Sequence, residues 1–283
     1  MTTDPRSIAN RTFATPDGQT IAYYDSQEAG TGGDGRVVVL LHGFCGSSAY
    51  WERTLPLLRS AGRIIAPDLR GHGRSSAPEA DAYAMEDFAE DLSRLLAHLN
   101  AGPVALFGHS LGGYAALAFA ERHPDKLAAF GLVHSTAKPD GEEAKANRDK
   151  AARALRTDGI APFVEGLVPK LFAPAHRESM ADDVRRMIGV GLGTSAAGAA
   201  ATALGMKARP DRTGVLDGLE TPRLLVAGSE DGVVPPANTF TADGPGVTQA
   251  LLEGCGHMSM VEAPERLAAE LLGFLNDNSN DKQ

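Results

Sequence analysis

The chain has 283 residues, 43% of them hydrophobic, which is enough for a substantial core in one large domain or in a core carrying an insertion. Its formal charge of −9 argues against nucleic acid or an anionic membrane surface as the main partner, and the basic residues are scattered along the sequence. Two cysteines, Cys45 and Cys255, make neither a disulfide framework nor a structural zinc site, which fits a reduced, cytoplasmic setting.

The start, Met1-Thr2-Thr3-Asp4-Pro5-Arg6, lacks the charged-then-apolar pattern of a signal peptide, and the longest apolar runs are strand-sized. A soluble protein with no membrane span is expected. Residues 12–14 and 20–24 flank Pro16-Asp17-Gly18 and read as a β-hairpin. A Gly-rich loop over 27–35 precedes Val37-Val38-Val39-Leu40-Leu41, a continuous apolar run typical of a strand covered on both faces. Ser48 is placed to cap a helix over 50–59, with Trp51, Leu55 and Leu58 on one face. A strand over 63–66 leads into Asp68-Leu69-Arg70-Gly71-His72-Gly73-Arg74-Ser75, and a helical pattern from Met85 to Leu99 closes before Gly102-Pro103.

Next comes Val104-Ala105-Leu106-Phe107-Gly108-His109-Ser110-Leu111-Gly112-Gly113, an apolar strand meeting G-x-S-x-G ahead of an alanine-rich helix. That is the setting of a nucleophile elbow, where the tight turn demands small residues two before and two after the serine. A strand over 127–133 follows. Residues 138–213 then hold only helix-compatible segments, including a charged run from Glu142 to Arg153 that reads as a solvated face and glycines at 189, 191, 193 and 198 that suggest a flexible or tightly packed stretch. Strands resume at 222–227 and 247–252, a helix spans 264–275, and the polar tail 276–283 is expected to fray. The alternation implies a mostly parallel, doubly wound α/β sheet with helices on both faces. Its core comprises 1–137 and 214–283, interrupted by a helical insertion over 138–213.

A serine hydroxyl needs an oriented base, and in parallel sheets functional residues gather at the carboxyl ends of strands. Past the strand at 222–227 stands Asp231, framed by Gly232 and Pro235 and preferred for that reason to Glu230. Past the last strand stands His257. The order Ser110, Asp231, His257 makes Ser110 the candidate nucleophile, His257 the base and then the acid, and Asp231 the residue that orients it. The oxyanion donors expected are the backbone N–H groups of Leu111 and of Phe44, in the loop His42-Gly43-Phe44. Asp68, Arg70, His42 and His109 read as supports, Cys45 and Cys255 as small buried residues, and Met258 and Met260 as core or pocket lining.

On His42-Gly43-Phe44-Cys45-Gly46-Ser47, Asp68 to Ser75, Gly108 to Gly113, Gly228 to Pro235, and Gly256-His257 with Glu262-Ala263-Pro264-Glu265, the chain resembles the α/β-hydrolase superfamily, as a member with an inserted all-helical cap. The resemblance implies an α/β-hydrolase fold and a hydrolase that needs no cofactor and no metal. Dehalogenases and epoxide hydrolases of this fold carry Asp at the elbow, so Ser110 speaks against both. Peptidases with a proline preference usually carry Trp there, where this chain has His109 and Leu111. The expected function is a serine esterase acting on a small-molecule carboxylic ester through an acyl-enzyme. Lactonase, thioesterase or perhydrolase chemistry on the same triad, or a non-catalytic ligand receptor, are the alternatives, in a monomer or homodimer. The Gly-rich cap segment is expected to gate substrate entry.

Overall fold

The computed structural model describes residues 6–27 and 35–278. The start of the chain, most of the Gly-rich loop expected over 27–35 and most of the polar tail lie outside them. Strands β1 (Arg11–Ala14), β2 (Thr20–Asp25), β3 (Val37–Leu41), β4 (Arg63–Pro67), β5 (Val104–His109), β6 (Leu127–Val133), β7 (Arg223–Gly228) and β8 (Val247–Leu252) form one sheet of eight strands among the described residues, in the order β1-β2-β4-β3-β5-β6-β7-β8. The expected hairpin is present, β1 pairing antiparallel with β2 and β2 with β4. Every pair from β4 through β3, β5, β6 and β7 to β8 is parallel, so the carboxyl ends of those strands share one edge. The first half of the sheet is wound by α1 (Met85–His98) and α2 (Leu111–Arg122).

Because strand side chains alternate between faces, one strand feeds two cores. Ala105 and Phe107 of β5 belong to a cluster with Trp51, Leu58 and Phe274, while Val104 and Leu106 belong to another with Phe88, Leu95 and Phe119. All of β3, β5 and β7 is buried, as the continuous apolar runs predict. Each fully buried Leu or Phe contributes about 1.5–3 kcal/mol of transfer free energy, so these two layers hold the site's scaffold rigid.

One expected element differs. Residues 50–59 do not make a single α-helix but two short 3₁₀ segments, Ser48–Trp51 and Leu55–Ala61. Pro56 lies in the first turn of the second, where it has no N–H to donate to a continuing helix. The cap is Ser47, whose Oγ accepts from Ala49 N at 3.1 Å, while the Ser48 N–H goes to Asp68.

Between β6 and β7 the chain is helical: α3 (Glu142–Asp158), α4 (Ile160–Leu171), α5 (His176–Ser179), α6 (Ala181–Gly191), α7 (Ala196–Ala208) and α8 (Thr213–Gly218). The short α5 and α8 carry too few periodic residues to stand out in the sequence. Gly198 in α7 packs against the backbone of Gly71, and a Cβ there would lie 2.7 Å from Gly71 Cα. That glycine therefore serves close packing of α7 on the loop that follows β4. The chain ends in α9 (Pro236–Thr239), α10 (Ser259–Glu262) and α11 (Pro264–Asp277). No single helix among the described residues is long and apolar enough to cross a membrane.

Candidate active site

Ser110 sits between β5 and α2 with φ 51° and ψ −114°, a left-handed conformation that costs a non-glycine residue of order 1–3 kcal/mol. The turn around it leaves no room for side chains. A Cβ on Gly108 would lie 2.3 Å from Gly112 O, and one on Gly112 would lie 2.6 Å from Leu41 O. The strain is held by the Ser110 N–H donating to Val133 O at 3.1 Å and by Ser135 Oγ donating to Ser110 O at 2.7 Å. Leu111, the first residue of α2, has an N–H outside the helical ladder. Phe44 N likewise has no hydrogen-bond partner among the described residues. Ser110, Phe44, His109 and His257 line one cavity of about 310 Å³.

The parallel register brings residues past the ends of four neighbouring strands to one edge of the sheet: Ser110 after β5, His134 after β6, Asp231 after β7 and His257 after β8. His257 Nδ1 lies 2.7 Å from Asp231 Oδ2, and both residues are buried. Asp231 Oδ1 accepts from Val233 N at 2.8 Å and Val234 N at 2.9 Å, the local turn that Gly232 and Pro235 foreshadow. Glu230, the competing acid, is exposed. Burial would push the Asp231 carboxyl up, but His257 and His134 beside it bring it below the usual carboxylate range.

Sequence reading missed His134. Its Nδ1 lies 3.1 Å from the same Asp231 Oδ2, its Nε2 lies 2.7 Å from Ser259 Oγ, and it is buried with φ 48°. With a serine hydroxyl donating to Nε2, Nδ1 carries the proton and donates to Asp231, giving a neutral ring. Desolvation is the main reason its affinity for a second proton falls below that of an ordinary histidine, against the pull of Asp231. Its position just past a buried strand was the available signal, but no motif surrounds it. His134, Asp231 and His257 offer ligand atoms within 4.8 Å of one another. Their spacings are nevertheless those of hydrogen bonds, and a cation there would have to displace both ring protons.

The backbone of His257 is pinned on two sides. Its N–H donates to Leu171 O at 2.7 Å, at the end of α4, and its carbonyl accepts from His109 Nε2 at 2.9 Å. Glu262, its side chain fully buried, accepts from Gly256 N and Met258 N on either side of His257 and from Ala173 N at 2.9 Å, and its Oε2 lies 2.7 Å from His176 Nδ1. His42 is a support as well: Nδ1 donates to Gly43 O and Nε2 accepts from Leu69 N, both at 2.8 Å. Asp68 takes Ser7 Oγ at 2.6 Å, Ser48 N at 2.8 Å and Arg74 N at 2.9 Å, and Arg70 grips Asp91 through two nitrogens. Cys45 and Cys255 are buried free thiols, and Met258 and Met260 are core residues. Such a constellation can remove a proton from a hydroxyl, stabilise the resulting imidazolium and offer two N–H groups to a developing oxyanion.

Comparison with known proteins bears on the family and the fold. A family model described as alpha/beta hydrolase fold matches residues 36–264. The protein named carbamate hydrolase RutD from Variovorax paradoxus (strain S110) is 32% identical over 249 residues, 86% of this chain and 92% of its own length. A thermophilic esterase from Thermogutta terrifontis, solved with malate bound, is 33% identical with a TM-score of 0.85, over 94% of this chain and 97% of that one. The enol-lactonase from Burkholderia xenovorans LB400 superposes with a TM-score of 0.84 over 94% of this chain and 100% of its own; at 23% identity the likeness is one of fold.

Proposed function

The chain belongs to the α/β-hydrolase fold family, and from that premise we propose that it is a cofactor-independent serine hydrolase of small carboxylic esters, with residues 138–213 as its cap. Ser110 Oγ attacks the substrate carbonyl while His257 Nε2 takes its proton. The Phe44 and Leu111 N–H groups receive the oxyanion, a contribution worth roughly 10²–10³ in rate per donor. His257 returns the proton to the departing alcohol, leaving an acyl-enzyme that water cleaves by the same steps in reverse. Asp231 holds the His257 tautomer and balances the imidazolium; held ionised, it remains a negative partner throughout.

One observation carries this reading: Ser110, strained at φ 51°, lines the same cavity as His257, which is tied to a buried carboxylate. The 33%-identical esterase supports an ester substrate. The decisive experiment is stoichiometric labelling by a fluorophosphonate followed by turnover of short-chain 4-nitrophenyl esters. Both are expected in the wild type and neither in Ser110→Ala. Labelling without repeated turnover points to a ligand receptor, and unchanged turnover in Ser110→Ala removes Ser110 from the reaction.

Carbamate hydrolysis is a second reading, favoured by the 32%-identical relative of that name. It uses the same attack and the same oxyanion: the alcohol or phenol leaves as before, and the intermediate is a carbamoyl-enzyme that water releases as a carbamic acid. Matched phenyl carbamates and phenyl esters separate the two by kcat/KM.

A further inference from the structure

The cavity that contains Ser110 is electrostatically unlike the rest of the chain. Against a formal charge of −9 overall, its lining includes three cations, Lys138, Arg148 and Arg209, and one carboxylate, Asp140. These residues come from both ends of the helical insertion: Lys138 and Asp140 precede α3, Arg148 lies within it, and Arg209 follows α7.

Asp140 is shared between two guanidinium groups. Arg148 Nε lies 3.0 Å from Oδ2 and Arg209 Nη2 lies 2.8 Å from Oδ1. Burial would raise the Asp140 carboxyl, but these two neighbours hold it below its ordinary value, so it is an anion. Arg209 is held in place by Met206 O at 2.8 Å, by Lys138 O at 3.2 Å and by the Tyr114 ring, 3.9 Å from its guanidinium carbon. Its Nε is buried without a partner. Arg148 bonds Asp140 through Nε alone among the described residues, leaving both Nη nitrogens for other acceptors. Lys138 Nζ hydrogen-bonds only the neutral Asn238 Oδ1, at 3.4 Å, among the described side chains, and feels the exposed Asp211 carboxylate at longer range. One carboxylate thus answers two partly or fully buried guanidiniums, with a lysine on the rim. The cluster is short of negative charge, and buried charge is stable only when paired.

We propose that the substrate brings the missing anion: the enzyme acts on esters that carry a second carboxylate distant from the scissile bond, and Arg148 and Lys138 bind that group. This rests on the serine-hydrolase reading and adds the substrate class to it. A guanidinium with two free Nη groups suits a carboxylate, which it can grip by two parallel hydrogen bonds. The small cavity keeps such a substrate short, so that a carboxylate at one end and the reacting carbonyl at the other fill it.

The experiment uses two matched pairs of esters on the intact protein. Mono-4-nitrophenyl glutarate against methyl 4-nitrophenyl glutarate varies the charge on the acyl side, and 4-acetoxybenzoate against its methyl ester varies it on the leaving group. In one pair kcat/KM should favour the anion by roughly 10- to 100-fold, the worth of one charge-assisted hydrogen bond. The preference should shrink as salt is added. In Arg148→Gln the anion-to-neutral ratio should fall about tenfold or more. Lys138→Gln, on the exposed rim, should move it the same way and serves if the first variant does not fold. Equal rates within both pairs overturn the anion subsite and leave the hydrolase reading intact. If no ester is turned over, calorimetric titration with glutarate and with glutaramide decides the subsite alone. Binding of the dianion but not of the diamide upholds it, and no glutarate binding overturns it.

Discussion

His134 and His257 reach the same oxygen of Asp231, at 3.1 and 2.7 Å. With Val233 N and Val234 N on the other oxygen, four donors converge on one carboxylate. The negative charge that would otherwise concentrate on His257 is spread over two rings and a turn. His134→Phe, which removes one of these donors, should therefore lower kcat by up to about tenfold, the worth of one hydrogen bond to a charged group, because Asp231 is then held less firmly beside His257. An unchanged kcat in a folded variant would reduce His134 to packing.

Asp231→Asn keeps the size of the side chain but removes its charge and presents an amide N–H where His257 Nδ1 now donates. The ring is then pushed toward the wrong tautomer. A loss in kcat of roughly 10³- to 10⁴-fold is expected, with fluorophosphonate labelling slowed in parallel. Glu230→Gln, at an exposed position, should be nearly silent; the reverse ranking would exchange the two acids.

Glu262 gathers three backbone N–H groups and His176 on one fully buried carboxylate. Glu262→Gln replaces one accepting oxygen by an NH₂ that faces donors. The cost is about 3 kcal/mol, or a Tm lower by roughly 6–12 °C, with a lower kcat because the loop bearing His257 loosens. Scanning calorimetry and kinetics on the same preparation check both.

Acid sensitivity should appear before the carboxylates titrate. Burial lowers His42 to about 4 and His72 to about 3, against 6.5 for a free histidine. Between pH 6.5 and 4 the unfolded chain binds protons at these rings that the native protein does not, so stability rises with pH in that window. It is complete above pH 6.5 and is lost as pH falls toward 4, with a slope of up to about 1.4 kcal/mol per pH unit for each ring. Tm measured from pH 7.5 to 4.5 should fall, and His72→Gln should flatten the decline. A level Tm across that range would contradict the neutral, buried state of both rings.

The sheet was legible because buried parallel strands write themselves as unbroken apolar runs, as Val37–Leu41 and residues 104–107 do. The elbow was legible because its tight turn admits only small residues beside Ser110, and Asp231 could be told from Glu230 by the turn residues that follow it. His134 was hidden because its role comes from the pairing of β6 with β7, which places it beside Asp231, 97 residues away. The same holds for Lys138, Arg148 and Arg209. Along the chain they look like scattered charges and a solvated helix face, and only the folding of α3 against α7 brings them to one cavity. Periodicity also suggested an unbroken helix at 50–59, where Pro56 prevents one.

The hydrogen bond from the His257 N–H to Leu171 O joins the sheet domain to the insertion at the residue that, on this mechanism, moves the proton. The insertion is therefore a poor candidate for modular exchange. A chimera carrying a relative's cap would inherit its pocket, yet it would also replace the carbonyl that fixes the His257 backbone and the partners that Ala173 and His176 offer to Glu262. Selectivity and reactivity are hinged on one seam, and grafting the first without rebuilding the second should yield proteins that fold and bind but turn over slowly.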